Sequence, residues 1–308
     1  MRTKYNAKIT GILIGVIVIM SILGLGALHM FREINEEKYF TVEEVNEIQV
    51  TMSSAPVHII RTKLSDKIKF HYYGKSMQEL KLSADIKNST LVVAAKRKID
   101  GPIPENMFLD IYIPEDYEKN LSIKISSGVV KMDSLNLANF TLNTSSGGLE
   151  AESLNAGEIS INTSSGKVNI KKLDAKELEI KGSSSAINID ECIAKEARVE
   201  TSSGSVNLRN SNGNFNLKGT AANVLIAYKE FENQNISVVT TAGNVTLELP
   251  STAEFLLEAK TTTGKIQSDF SANTVGDIDK RRIVVQIGTK KNIVSLQTST
   301  GSIKILKK

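Results

Sequence analysis

Short runs of alternating apolar and polar residues recur along this chain at a nearly fixed interval. Ile159 and Ile161 alternate with Ser160 and Asn162, and Val168 and Ile170 alternate with Lys167 and Asn169. Period-two alternation predicts half-buried strands. Between the two runs stands Ser164-Ser165-Gly166. Ser-Ser-Gly also ends at Gly128, Gly147 and Gly204, and Ser183-Ser184-Ser185 fills the missing place, so the spacing is 19 residues four times running. Looser copies end at Ala222, Gly243, Gly264 and Gly301. Seven and five residues before each of these positions, and two after, stand apolar or small residues: Phe140, Leu142 and Leu149 around Gly147, for example, and Ile236, Val238 and Val245 around Gly243.

A period near 20 residues indicates a repeat architecture, in which stacked units share one core. The expected fold is an all-β β-solenoid of single-stranded, β-helix-like coils about 19 residues long, with neighbouring coils about 4.8 Å apart. Glycine suits the corner because it tolerates positive φ. Serine suits it because its hydroxyl bonds local backbone. Ser53-Ser54-Ala55 is flanked by Ile48, Val50, Val57 and Ile59 at the same offsets, so the solenoid starts near residue 46. Alternating segments at 67–73, 80–86, 91–96 and 107–113 interrupt the phase and predict antiparallel hairpins decorating the first coil. The segments 283–287 and 293–296 predict a terminal hairpin or a final long coil.

Residues 9–28 are apolar and uncharged, long enough to cross a bilayer as a helix. Arg2, Lys4 and Lys8 precede them, which predicts a cytoplasmic N-terminus and an extracytoplasmic remainder. The length favours a retained anchor over a cleaved signal peptide. The expected organisation is a basic tail (1–8), a transmembrane anchor (9–28), a helical or mobile stalk (29–45) and the solenoid (46–308). Those three basic residues supply most of the formal charge of +4, so no nucleic-acid footprint is left. Basic clusters at 96–98, 280–282 and 290–291 read as solvated loops.

Candidate chemistry is sparse. The only cysteine, Cys192, aligns with Leu135, Leu154 and Leu173 and reads as a core residue. His29, His58 and His71 have no metal-ligand spacing. Asp110, Glu115, Asp116, Asp174, Asp190 and Glu191 are candidate acids by type, but the outward positions show no acidic column, and no catalytic residue, metal or cofactor is expected. Asn169, Asn188 and Asn207 fall at one outward position of three consecutive coils. They predict an amide ladder, or a ligand-facing strip for glycan recognition. Thr144, Thr163, Thr201, Thr240, Thr261 and Thr298 precede the corners by three residues and are expected to lean inward onto backbone groups.

The repeated T-S-S-G-x-V-x-[IL], with Phe108-Leu109-Asp110-Ile111-Tyr112-Ile113-Pro114 before it, resembles a bacterial adhesin-like family with β-strand repeats. This domain family of unknown function includes LiaG-like membrane-anchored proteins of Gram-positive bacteria. The resemblance covers about residues 46–308. It implies a β-solenoid outside the membrane and links to envelope stress, and it carries no catalytic residues. The expected function is binding or scaffolding at the cell envelope. A cell-wall glycan, an anionic wall polymer or another envelope protein is the expected partner. The alternatives are a carbohydrate-active enzyme on a β-helix and an envelope-stress regulator sensing through its ectodomain.

Overall fold

The computed structural model describes residues 31–63, 66–97, 105–271, 274–279, 281–288 and 292–308. The expected tail and anchor, with His29 and Lys98, Lys280, Lys290 and Lys291 of the basic clusters, lie outside these residues. No helix among the described residues is long and apolar enough to cross a membrane.

The strands in chain order are β1 (Arg32–Thr41), β2 (Glu47–Met52), β3 (Val57–Thr62), β4 (Lys67–Ser76), β5 (Leu80–Lys87), β6 (Thr90–Arg97), β7 (Glu105–Pro114), β8 (Asn120–Ile125), β9 (Val130–Thr144) and β10 (Leu149–Thr163). They continue with β11 (Lys167–Tyr228), β12 (Asn235–Ala242), β13 (Val245–Leu249), β14 (Phe255–Thr263), β15 (Ile266–Ser268), β16 (Thr274–Asp279), β17 (Arg282–Ile287), β18 (Ile293–Thr300) and β19 (Ile303–Lys307). All join one sheet. β9, β10 and β11 are parallel neighbours in a register that places Val130, Leu149 and Val168 side by side. That register is the 19-residue period expressed as pairing.

Each coil has three sides. In β10 the buried pairs are Leu149 with Ala151, Leu154 with Ala156, and Ile159 with Ile161. The apolar residues at all three offsets from the corners point into this core, Ile266 being only partly buried. Cys192 is fully buried on the second side, as its alignment predicts. The Tyr228 hydroxyl donates to the Gly213 carbonyl at 2.7 Å. From there an edge-to-face series, Phe215–Tyr228–Phe231–Phe255–Phe270, runs through the core toward the C-terminal end, with centroids 4.9–6.2 Å apart. Such contacts add about 0.5–1.5 kcal/mol per pair beyond burial.

Chain order and axial order differ at both ends. β6 and β7 pair in parallel with β2 and β3, whose opposite edges pair with β8 and β9. The first coil in sequence is therefore second along the axis. At the other end β18 lies between β12 and β14, and β19 between β13 and β15, so the last coil in sequence is next to last. These pairings correct two expectations. Of the predicted decorating hairpins only β5–β6 is a hairpin, while β4 pairs antiparallel with β7 and β1 with β4. Segments 283–287 and 293–296 do not pair with each other: β17 runs antiparallel along β14, and β18 is inserted inside the stack. Insertion gives β18 a neighbour on both edges, which an end position cannot do.

The expected stalk is also corrected. Residues 32–41 form β1 and 42–44 a single 3-10 turn. Ile34 and Val42 bury, and Phe40 packs edge-to-face on Phe70 at 6.0 Å. Of the inward positions 34, 36, 38 and 40 only Ile34 and Phe40 are apolar, and Glu36 accepts from the Leu82 backbone N–H at 2.9 Å, so charge obscures the strand.

The corner glycines have a second cause. Gly128, Gly204, Gly243, Gly264 and Gly301 have positive φ; Gly147 and Gly166 do not. A Cβ on Gly166 would lie 1.7 Å from the Gly147 carbonyl oxygen, and one on Gly147 2.1 Å from that of Gly128. At these two corners the close approach of stacked coils, rather than φ, demands glycine.

Candidate functional site

The asparagine column forms the predicted ladder. Asn188 donates from Nδ2 to Asn169 Oδ1 at 2.9 Å, and Asn207 donates to Asn188 Oδ1 at 2.8 Å. All three are half-buried on the first side of the solenoid. A 19-residue repeat places like side chains one coil apart, within reach of an amide pair.

The ladder is one stretch of a longer outward row. Strand pairing sets Glu37 beside His71, His71 beside Asp110, Asp110 beside His58, His58 beside Lys131, Lys131 beside Glu150 and Glu150 beside Asn169. The row thus crosses from the N-terminal strands onto the regular coils without a break. A groove of about 480 Å³ borders its middle, lined by His58, Lys131, Asp133, Glu150, Asn169 and Asn188 among others. Across coils Lys171 meets Glu152 at 2.7 Å, and Lys131 meets Glu150 at 3.6 Å. Both pairs are largely exposed, so each contributes only about 0–1 kcal/mol.

The third side carries a feature that corrects the sequence reading. Glu158 lies directly beside Glu177, and Glu196 follows in the same shallow groove, so an acidic column does exist. Glu158, Glu177 and Glu196 recur at the 19-residue period. The column continues a polar corner: Asn139 donates to Asn120 at 2.9 Å below it, and Asn214 donates to Glu196 at 2.7 Å above it. No cluster of His, Cys, Asp or Glu with metal-binding geometry occurs among the described residues.

The threonine column takes the inward role expected of it. Thr144 and Thr163 accept from the backbone N–H of Gly147 and Gly166 at 2.9 and 2.8 Å. Thr240 donates to Ala242 and Thr298 to Gly243, each at 3.1 Å. Cys192 is sealed: burial pushes its thiol up to about 12, so little of it is thiolate near neutrality.

Comparison with known proteins settles the family. The model of the Toastrack domain, DUF4097, matches residues 45–306. The chain belongs to the Toastrack family. This bears out the resemblance to an adhesin-like domain of unknown function. Similar solved structures include a "putative lipid binding protein" from Parabacteroides distasonis, 14% identical, covering 89% of this chain and 97% of that one, with a TM-score of 0.51. A "putative adhesin" from Parabacteroides merdae is 16% identical, with 89% and 96% coverage and a TM-score of 0.48. Another from Bacteroides fragilis is 13% identical, with 89% and 97% coverage and a TM-score of 0.46. At 14% identity the likeness to the Parabacteroides distasonis structure is one of fold alone. No curated protein matches. Within this Toastrack domain the outward row of the first side is the candidate site.

Proposed function

We propose that this Toastrack protein is a single-pass, membrane-anchored scaffold of the cell envelope that acts by binding, not by catalysis. Its solenoid would stand outside the membrane and hold an extended partner along its first side. The observation that supports this reading is the continuous row from Glu37 to Asn207, in which each outward polar residue has its neighbour one strand away. A side that presents a polar side chain at every strand step, and the same amide on three successive coils, suits a long, extended partner better than a compact one. β1 begins at Arg32, only a few residues beyond the expected anchor at 9–28, so the solenoid would be held close to the bilayer.

Two measurements test the proposal. Protease added to intact spheroplasts should digest the chain beyond residue 31, and a fully protected chain would contradict the assigned topology. The detergent-solubilised full-length chain should sediment with isolated envelopes. Asn188→Arg should abolish this while Asn216→Arg, on the third side, leaves it intact. Equal retention of both variants would contradict a binding role for the first side.

A further inference from the structure

Aromatic side chains are few in this chain, 9 Phe and 7 Tyr with no Trp. Most of those described are buried in the core. The outward ones on strands gather in one place, on β1, β4 and β7, at the N-terminal end of the row just described. Tyr73 and Phe108 are cross-strand partners and stack with centroids 5.5 Å apart; His71 stacks on Tyr73 at 4.5 Å. Four residues along these strands from the Tyr73–Phe108 pair, Tyr39 and Tyr112 flank Lys69, whose ammonium lies 5.7 and 5.2 Å from their ring centroids. Tyr39 is 53% exposed.

The register arranges these side chains as three parallel rows across β1, β4 and β7. Asn35, Tyr73 and Phe108 form one; Tyr39, Lys69 and Tyr112 form another. Between them runs the polar row Glu37, His71, Asp110. A polar track is therefore flanked on both sides by aromatic rings. It points along the solenoid axis toward the groove and the asparagine ladder.

We infer that this track is a saccharide-binding site, and that its ligand is a neutral or amino-sugar polysaccharide lying along the axis, clasped by the aromatic rows and continued over Asn169, Asn188 and Asn207. The inference rests on the binding role proposed above and names its ligand class. Three features carry it. Sugar C–H bonds bear partial positive charge and are attracted to the electron-rich aromatic face. Glu37 already accepts from the Tyr39 hydroxyl and pairs with Lys69 at 2.7 Å, and Asn35 Oδ1 contacts His71 Nε2 at 2.8 Å; the lone pairs these oxygens keep, with those of the Asp110 carboxylate, accept hydrogen bonds, which hydroxyl and N–H groups of a sugar supply and a phosphate does not. The coil rise, about 4.8 Å, is close to the length of one pyranose unit, so an extended chain meets a polar side chain of the row at each step. A bilayer is the poorer match: burying aromatic rings in it would bring two carboxylates with them, at high desolvation cost.

The test uses the full-length chain in detergent, with chitohexaose and cellohexaose as probes and vesicles of anionic phospholipid as the competing surface. Binding is read by saturation transfer to the sugar, and by tyrosine fluorescence, which no tryptophan obscures. At least one hexaose should bind. Phe108→Ala with Tyr112→Ala should weaken it about ten-fold or more, Tyr73→Phe should change it less than about two-fold, and Asn216→Ala should not change it. Melting curves establish that each variant is folded. If the double variant does not fold, saturation transfer selective for tyrosine ring protons in the wild type decides. No binding of either hexaose, full binding by the folded double variant, or binding of the vesicles alone would overturn the inference. Envelope sedimentation that survives the double variant would overturn it and leave the wider proposal standing.

Discussion

Gly182 and Ser185 fill their corner in reverse. A Cβ on Gly182 would lie 2.7 Å from Ser185 Oγ. In the preceding coil the same two positions hold Thr163 and Gly166, and a Cβ on Gly166 would lie 2.6 Å from Thr163 Oγ1. The next pair but one, Gly219 and Ala222, repeats the reversal, with 2.7 Å between the imagined Cβ and that of Ala222. Each of these corners has room for one side chain, supplied either by the residue before the turn or by the residue closing it. The triplet at 183–185 and the alanine at 222 are thus compensated variants of one corner.

This relationship predicts a coupled pair of substitutions. Gly182→Thr alone should destabilise by about 1–3 kcal/mol through overpacking. Adding Ser185→Gly should recover most of that loss, giving a coupling of about 1–2 kcal/mol. Thermal or urea unfolding of the four proteins measures it. Additive losses would refute the shared corner.

The amide ladder has a direction, so its two ends respond differently to charge. Asn169 accepts from Asn188, whereas Asn207 donates to it. Asn169→Asp keeps an acceptor and should alter stability by less than about 0.5 kcal/mol. Asn207→Asp removes the donor and sets a carboxylate against the Asn188 oxygen, costing about 1–3 kcal/mol. Equal melting temperatures would show that the ladder does not run this way.

Cys192 predicts alkaline instability. Its folded-state thiol is pushed up from 9.0 to about 12 by burial. A raised folded pKa leaves stability intact below the unfolded value and removes it as pH rises toward the folded value. Stability should therefore fall between about pH 9 and 12, by up to about 1.4 kcal/mol per pH unit from this group. Cys192→Ala should flatten that part of the profile relative to the parent, and native protein should resist thiol reagents until unfolded.

Ile161→Asp tests the inward phase. Ile161 is fully buried beside Ile180 and Leu142 in adjacent coils. An unpaired buried carboxylate there should prevent cooperative folding of the neighbouring coils. Near-native melting would show the core to be elsewhere.

The coils were legible in the sequence because one side chain per strand step repeats every 19 residues, and the asparagine and threonine columns follow from the same arithmetic. The ends were not legible. Nothing in Ile293–Thr300 distinguishes a strand that caps the stack from one inserted into it, because both need the same alternation. β1 was hidden by its charges, since an end strand pairs along one edge and keeps one face in water. The aromatic cluster was missed for a related reason: Tyr39, Tyr73 and Phe108 are far apart in sequence and meet only through antiparallel pairing that has no repeat to announce it. The acidic column Glu158, Glu177, Glu196 did have the period, on a side whose outward positions had not been compared.

Whether the first side of the solenoid faces the partner is tested by site-specific photo-crosslinking in intact cells. A photoreactive residue replaces exposed Asp190, beside the asparagine ladder, or exposed Asn216 on the third side. Adducts to envelope material are expected from position 190 and none from position 216. Adducts from 216 alone, or equal yields from both positions, would contradict a partner held on the first side.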